Sequence, residues 1–230
     1  MKTFEQYRNQ FQGLYEAVKK TRAQSARPHR GHGLDHDVAV AMMGTDIAPN
    51  DRIAERVFCA GLMHSIDHYV AEEDEVGAAL DRYLDTVSNY FEPQELVEIK
   101  EAVLRHMEFK NRDMDTRKPT QRTLMDADKL VNMDPLVVVR SGQFHPEIPA
   151  IELEYIGTSN GQRYANPAST YPKPCSVLDD LRGCVEWSEP GWIHYPKAQE
   201  LADERAGFIK DYIRKAEEAF SFLCLSGVDL

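Results

Sequence analysis

Apolar side chains return at three- and four-residue intervals along most of this 230-residue chain. That period belongs to helices with one buried face. Phe4, Tyr7, Phe11, Tyr15 and Val18 mark an amphipathic first helix. Leu34 to Ile47 forms a second, closed by Ala48-Pro49-Asn50, and Asp51 is placed to cap a third that runs through Val57 and Leu62 towards Ile66. Val76 to Tyr90 reads as a fourth. Pro93 opens a fifth at a first-turn position, with Leu96, Ile99, Val103 and Met107 on its face. Thr120 to Met133 is a sixth, and Asp134-Pro135 breaks it or starts the next. The one strand-like stretch, Ile151 to Tyr155, is short. The expected fold class is therefore all-α, and residues 1–230 can form a single domain of this size.

The pattern changes between His145 and Pro174, where Pro146, Pro149, Pro167, Pro172 and Pro174 accompany Ser159-Asn160-Gly161. This 145–174 segment reads as an irregular insertion, either a functional loop or a surface excursion without a role. Beyond it, residues 176–225 return to helix. A short one spans Val177 to Trp187, and a long C-terminal one begins at Pro196 with Ala198, Leu201, Ala202, Ile209 and Ile213 on its apolar side.

Uninterrupted apolar stretches such as Val38 to Met43 fall far short of the ~20 residues a spanning helix needs, so no membrane partner is expected. The N-terminus MKTFEQYRNQFQG has no apolar core of the secretory type. The net charge of −11 argues against a nucleic-acid polymer as partner. It also repels anionic substrates, so a phosphorylated ligand would need a local reversal of the field, which a bound metal can supply. Cys59, Cys175, Cys184 and Cys224 form no C-x-x-C pair, which suits a reducing, cytoplasmic setting. A homo-oligomer is compatible with all of this.

Histidine and aspartate placement carries the chemistry. His32 and His36 lie in Gly31-His32-Gly33-Leu34-Asp35-His36-Asp37, and His64, Asp67 and His68 in Met63-His64-Ser65-Ile66-Asp67-His68. His106 sits near the end of the fifth helix, and Asp126 and Asp128 lie in Asp126-Ala127-Asp128-Lys129-Leu130. Neutral imidazoles and carboxylates suit divalent ions of the Zn, Fe, Mn and Ni type. If the third helix continues past His64, Asp67 and His68 share its face. Each residue also has a structural reading: His106 and Asp126 as caps, Lys129 and Arg105 as solvated helix residues.

These segments resemble, in order, the motifs of the HD superfamily of metal-dependent phosphohydrolases over about residues 30–140, with a weaker likeness in the C-terminal helix. His36-Asp37-Val38-Ala39-Val40 is similar to that family's first-His helix, Ala60-Gly61-Leu62-Met63-His64 to the apolar run before its His-Asp doublet, and Asp126-Ala127-Asp128-Lys129-Leu130 to its final Asp segment. The resemblance implies an HD-type helical bundle with a divalent metal (Mn, Fe, Zn, Ni, Co or Mg) held between helices. It carries over His36, His64 and Asp128 as ligands, with His106 or His68 available for a second ion. Asp126 carries over as a neighbour that orients a ligand or water.

One position departs from the family: Ser65 stands where the doublet's Asp is expected. Either Asp67, one turn on, replaces it, or the site is weakened. The implied function is hydrolysis of a small phosphorylated substrate, a nucleotide or related phosphoester. In that reading Asp67 or Asp126 handles the water's proton, Lys129 or Arg105 neutralises phosphate oxygens, and His68 or His32 protonates the leaving oxygen. The alternatives are a non-catalytic metal- or ligand-binding HD domain and an iron-dependent HD-type oxygenase.

Overall fold

Helices α3 (Leu34–Ile47) and α4 (Asp51–Met63) form the most extensive helix pair in the molecule, and the rest of the chain is arranged around them. The structure, a computed structural model, describes residues 2–27, 31–70, 73–107, 117–151, 174 and 176–225. In addition to that pair it contains α1 (Phe4–Gln10), α2 (Gln12–Gln24), α5 (Glu73–Asp85), α6 (Pro93–Arg105), α7 (Pro119–Val131), α8 (Val137–Phe144), α9 (Val177–Glu186) and α10 (Pro196–Leu225). A 3-10 turn spans Ile66–His68. No strand occurs among the described residues, and the fold is all-α. None of the described helices is long and apolar enough to cross a membrane.

Close approach of α3 and α4 depends on Gly61. A Cβ at this position would lie 2.6 Å from the Cα of Ala41 and 2.7 Å from its amide nitrogen, so only glycine lets the two backbones touch here. Helix α3 stops at Ile47 because Ala48, which precedes Pro49, is driven out of the helical region to φ −59°, ψ 140°. The next helix is capped by Asn50, whose side chain accepts from the Ile53 amide. Asp51, the expected cap, is the first helical residue instead. Glu92 and Glu95 form a reciprocal capping box around Pro93 at the start of α6.

The first expected helix is two. The chain bends at Phe11 (φ −110°, ψ 36°), yet Tyr7, Phe11, Leu14 and Val18 all remain buried. The apolar stripe continues across the bend, which is why periodicity alone does not show it. Tyr7 stacks on Phe58 at 4.7 Å, and Phe11 stacks on Phe91 at 5.7 Å, tying this arm to α4 and to the start of α6. The fourth expected helix ends at Asp85, short of Tyr90, in a series of turns. Most of the expected strand and of the 145–174 insertion lies outside the described residues. Ile151, at their edge, is not in a strand, and residues 146–148 form a turn.

Helix α7 runs through the centre, touching α3, α4, α6 and α10, and every residue from Thr123 to Val131 is buried. This burial brings an unusual set of polar groups (Asp126, Asp128 and Lys129) into the interior. Groups of this kind are retained only where they find partners.

Candidate metal centre

Helix α4 ends at Met63, so His64 is its C-terminal cap rather than an interior residue. Ser65 leaves the helical conformation (φ −91°, ψ 25°), and Ile66–His68 tighten into a 3-10 turn. This places His64 directly opposite His36, in the first turn of α3, with their Nε2 atoms 3.2 Å apart. Asp128 approaches from α7, and its Oδ1 lies 3.6 Å from each of those nitrogens. The three donor atoms lie within 4.8 Å of one another, and all three residues are buried.

The surrounding contacts fit this group to a divalent ion. Burial holds the His64 imidazole well below its ordinary pKa, outweighing the nearby Asp128 carboxylate, so His64 is neutral. Its Nδ1 donates to the Gly61 carbonyl at 2.7 Å, which leaves Nε2 as a lone-pair donor facing His36 and Asp128. Burial alone would raise the Asp128 carboxyl, but its polar surroundings, the neighbouring His36 imidazole foremost, outweigh it and hold the group well below the usual carboxylate range. Asn132, one turn on, donates to Asp128 Oδ1 at 2.9 Å and fixes its orientation. Two imidazoles and a carboxylate from three helices form the open, three-ligand kind of set that accepts a transition-metal ion.

At His36 the surroundings are different. Arg140 Nη1 lies 3.3 Å from His36 Nδ1, while its Nη2 donates to Asp134 Oδ1 at 3.1 Å and to the Val131 carbonyl. A guanidinium can only donate, so His36 Nδ1 accepts and its Nε2 carries the proton, directed at His64 Nε2. An incoming ion therefore takes the place of a proton already shared between the two histidines.

The expected site residues divide into two groups. His36, His64 and Asp128 come together, and His106 lines the same cavity with its ring 5.6 Å from that of His64 and its Nδ1 bonded to the Val103 carbonyl at 2.6 Å. His32 and His68 stack face to face at 4.2 Å beside Phe144, at the cavity wall. Burial lowers the pKa of His68, although Asp67 opposes this. Asp67 does not replace the missing carboxylate. The helix ends before it, its side chain is 61% exposed, and its Oδ1 lies 4.0 Å from His68 Nε2.

Asp126 points away from the three donors. Its oxygens accept from the His194 amide at 2.9 Å, the His194 ring at 2.6 Å and the Tyr195 amide at 3.1 Å, anchoring the segment that leads into α10. Lys129 is buried beside it and outside the cavity wall, and burial lowers its amine to about 8 despite Asp126 and Asp128. Arg105 also lies outside that wall, and its carbonyl accepts from Gln121 at 3.0 Å.

Sequence reasoning missed Asp37. This carboxylate is fully buried and accepts from Arg22 Nε at 2.7 Å and from Ser65 Oγ at 2.6 Å. Ser65 Oγ is also 3.1 Å from His64 Nε2, and Asp37 Oδ1 is 3.5 Å from His64 Nδ1. Burial pushes the Asp37 carboxyl up to about 7, against the lowering effect of Arg22 and Ser65. Arg22 in turn donates to the His32 carbonyl at 2.6 Å and covers the Tyr69 ring at 4.2 Å. The available signal was position, since Asp37 directly follows a candidate ligand. Arg140 carried none, because it reaches His36 only through the tertiary fold, whereas Asn132 carried a local one, four residues after Asp128.

A cavity of about 260 Å³ opens onto the centre. His64, Ser65, His106, Asp128 and Arg140 are among its polar lining residues, and Met107, Val137, Phe144 and Trp187 supply apolar wall.

No protein-family model matches the chain, and no curated protein matches it. Among solved structures the chain is similar to a protein from Lactobacillus plantarum whose crystal structure was determined as a structural-genomics target. The two share 13% identity with a TM-score of 0.68, over 93% of this chain and 97% of the other. At that identity the likeness concerns the fold alone.

Proposed function

We propose that this protein is a metal-dependent phosphohydrolase of the HD type, acting on a small phosphorylated substrate such as a nucleotide or related phosphoester. The observation that carries the reading is the buried convergence of His36, His64 and Asp128 at the end of a cavity that also presents Arg140. Their order along the chain is that of the motifs the sequence resembles.

His36, His64 and Asp128 would hold the ion, and Asn132 and the Gly61 carbonyl would keep Asp128 and His64 in position. A divalent ion bound there supplies Lewis acidity towards a phosphoryl oxygen and makes water easier to deprotonate. Arg140 provides fixed positive charge at the cavity wall for phosphate oxygens, which an overall acidic protein needs locally. Asp67 and His68, both on the cavity wall, are placed to exchange protons with substrate or solvent. The apolar wall from Met107, Val137, Phe144 and Trp187 limits water around the organic part of the substrate.

Elemental analysis of the purified protein, followed by phosphate-release assays over nucleoside phosphates and simple phosphomonoesters with Mn, Mg, Co and Ni, tests this. Metal-dependent release that is lost in His64→Ala supports it. A metal-loaded protein that releases no phosphate from any of them favours the second reading, a metal-binding domain without hydrolysis, which Ser65 in place of an acidic ligand motivates.

A further inference from the structure

Away from the metal ligands, α8 and α9 contribute a second polar pair to the same cavity. Ser141 Oγ donates to Asp180 Oδ2 at 2.6 Å. Both residues line the cavity, next to Cys184 and Trp187 from α9 and its end. Among the described residues, none donates a hydrogen bond to Asp180 Oδ1. The nearest cation-forming group is His145 Nε2 at 3.8 Å, beyond bonding distance, and that nitrogen is buried without any hydrogen-bond partner. A largely buried carboxylate oxygen that faces the cavity without a bonded donor would gain from a hydrogen bond offered by a ligand there. The carboxylate is 19% exposed, enough to be reached from the cavity.

The chemistry of this wall differs from that of the metal end. The metal-ligand group, with Arg140, suits an anion. Asp180 repels phosphate and accepts hydrogen bonds, so it suits a hydroxyl or amino group. Apolar surface from Val137, Phe144 and Trp187 lines the cavity along with these two ends. The volume of about 260 Å³ is below the roughly 300–1,000 Å³ of pockets for drug-sized ligands. That leaves room for a phosphate and one compact organic group.

We propose that Asp180, oriented by Ser141, is the specificity determinant of the cavity, and that the substrate is a small phosphomonoester whose organic part carries a hydroxyl or amino donor for Asp180 Oδ1. The proposal rests on the phosphohydrolase reading for its phosphate end and on the Ser141–Asp180 geometry for its donor end. A site built to satisfy a substrate hydroxyl rejects the analogue lacking it, because the buried acceptor is then left unpaired.

The test compares ribose 5-phosphate with n-pentyl phosphate, which have the same number of carbons but differ in hydroxyl groups, on the metal-loaded wild type, Asp180→Asn and Asp180→Ala. Asp180→Asn keeps an oxygen acceptor for Ser141 and guards against loss of fold, which a thermal melt checks. The expected result is a wild-type preference in kcat/KM for the hydroxylated substrate that falls at least tenfold in Asp180→Ala. A preference ratio that is equal in wild type and both variants overturns the proposal. If neither compound is hydrolysed, the phosphohydrolase reading is decided by the wider phosphate-release assays, and the Asp180 assignment is decided separately by calorimetric binding of the same two compounds. Loss of the affinity difference in Asp180→Ala then supports it, and an unchanged difference, or none in the wild type, overturns it.

Discussion

Ser65 Oγ and Asp37 Oδ1 are 2.6 Å apart, so the hydroxyl that stands where the resembled HD motif would have a carboxylate is bonded to a carboxylate from the neighbouring helix. The acidic group has not vanished from the site. It arises from α3, adjacent to His36, and is neutralised by Arg22. A second acid at position 65 would meet Asp37 at hydrogen-bond distance in a fully buried setting. Ser65→Asp is therefore expected to destabilise the protein by roughly 3 kcal/mol rather than to strengthen the centre. Adding Asp37→Ser should recover much of the loss, with a coupling of ~0.5–3 kcal/mol in a double-mutant cycle by urea denaturation. Additive losses would show that the two positions do not share one carboxylate site.

Metal binding should raise stability, because the three donors come from three helices and converge only in the folded chain. At one hundred times the dissociation constant the gain is about 2.7 kcal/mol. Thermal melts with Mn or Zn against a chelator check this, and His64→Ala should remove the difference.

Arg140 opposes the protonation state that metal binding requires at His36. A ligating histidine ordinarily donates its outer N–H, whereas here that nitrogen faces a guanidinium 3.3 Å away. Arg140→Gln supplies an oxygen acceptor instead. It should tighten metal binding roughly tenfold by titration calorimetry while weakening inorganic phosphate binding to the loaded protein. Weaker metal binding in this variant would contradict the account.

Asp126 is expected to act on stability and not on the metal. Its carboxylate is fully buried and accepts from His194 and Tyr195. Asp126→Ala leaves those donors unmatched and should cost roughly 3 kcal/mol in denaturant melts, with metal affinity changed less than threefold. A large loss of affinity in a folded variant would return Asp126 to the site.

Stability should also depend on pH through Glu95. Hydrogen bonding from Arg52 holds its carboxyl down to about 2, helped by the Glu92 amide and Arg56. Because the folded value lies below the ordinary one, this contribution is fully present above about pH 4.5 and is lost as pH falls towards 2. Glu95→Gln should cost ~1 kcal/mol at pH 7, a difference that narrows on acidification in urea melts.

Helical periodicity and local punctuation were enough to determine the all-α class, the span of α3 from Leu34 to Ile47, and the starts of α6 and α10 at Pro93 and Pro196. These features depend on side-chain spacing and on the backbone limits of proline, which are encoded locally. The resemblance of three sequence segments to the HD motifs pointed to His36, His64 and Asp128. Tertiary structure decided that they meet, through the contact of α3 with α4 that Gly61 permits. It also decided what surrounds them. The end of α4 at Met63 carries Asp67 out to solvent, whereas Asp37, Arg140 and Asp180 acquire their roles from partners 28, 104 and 39 residues away in the chain. A single sequence shows which residue types recur and where helices can begin or end. Which buried carboxylate faces which hydroxyl depends on helix packing and on the cost of leaving either group unpaired, and these are settled only when the helices close on one another.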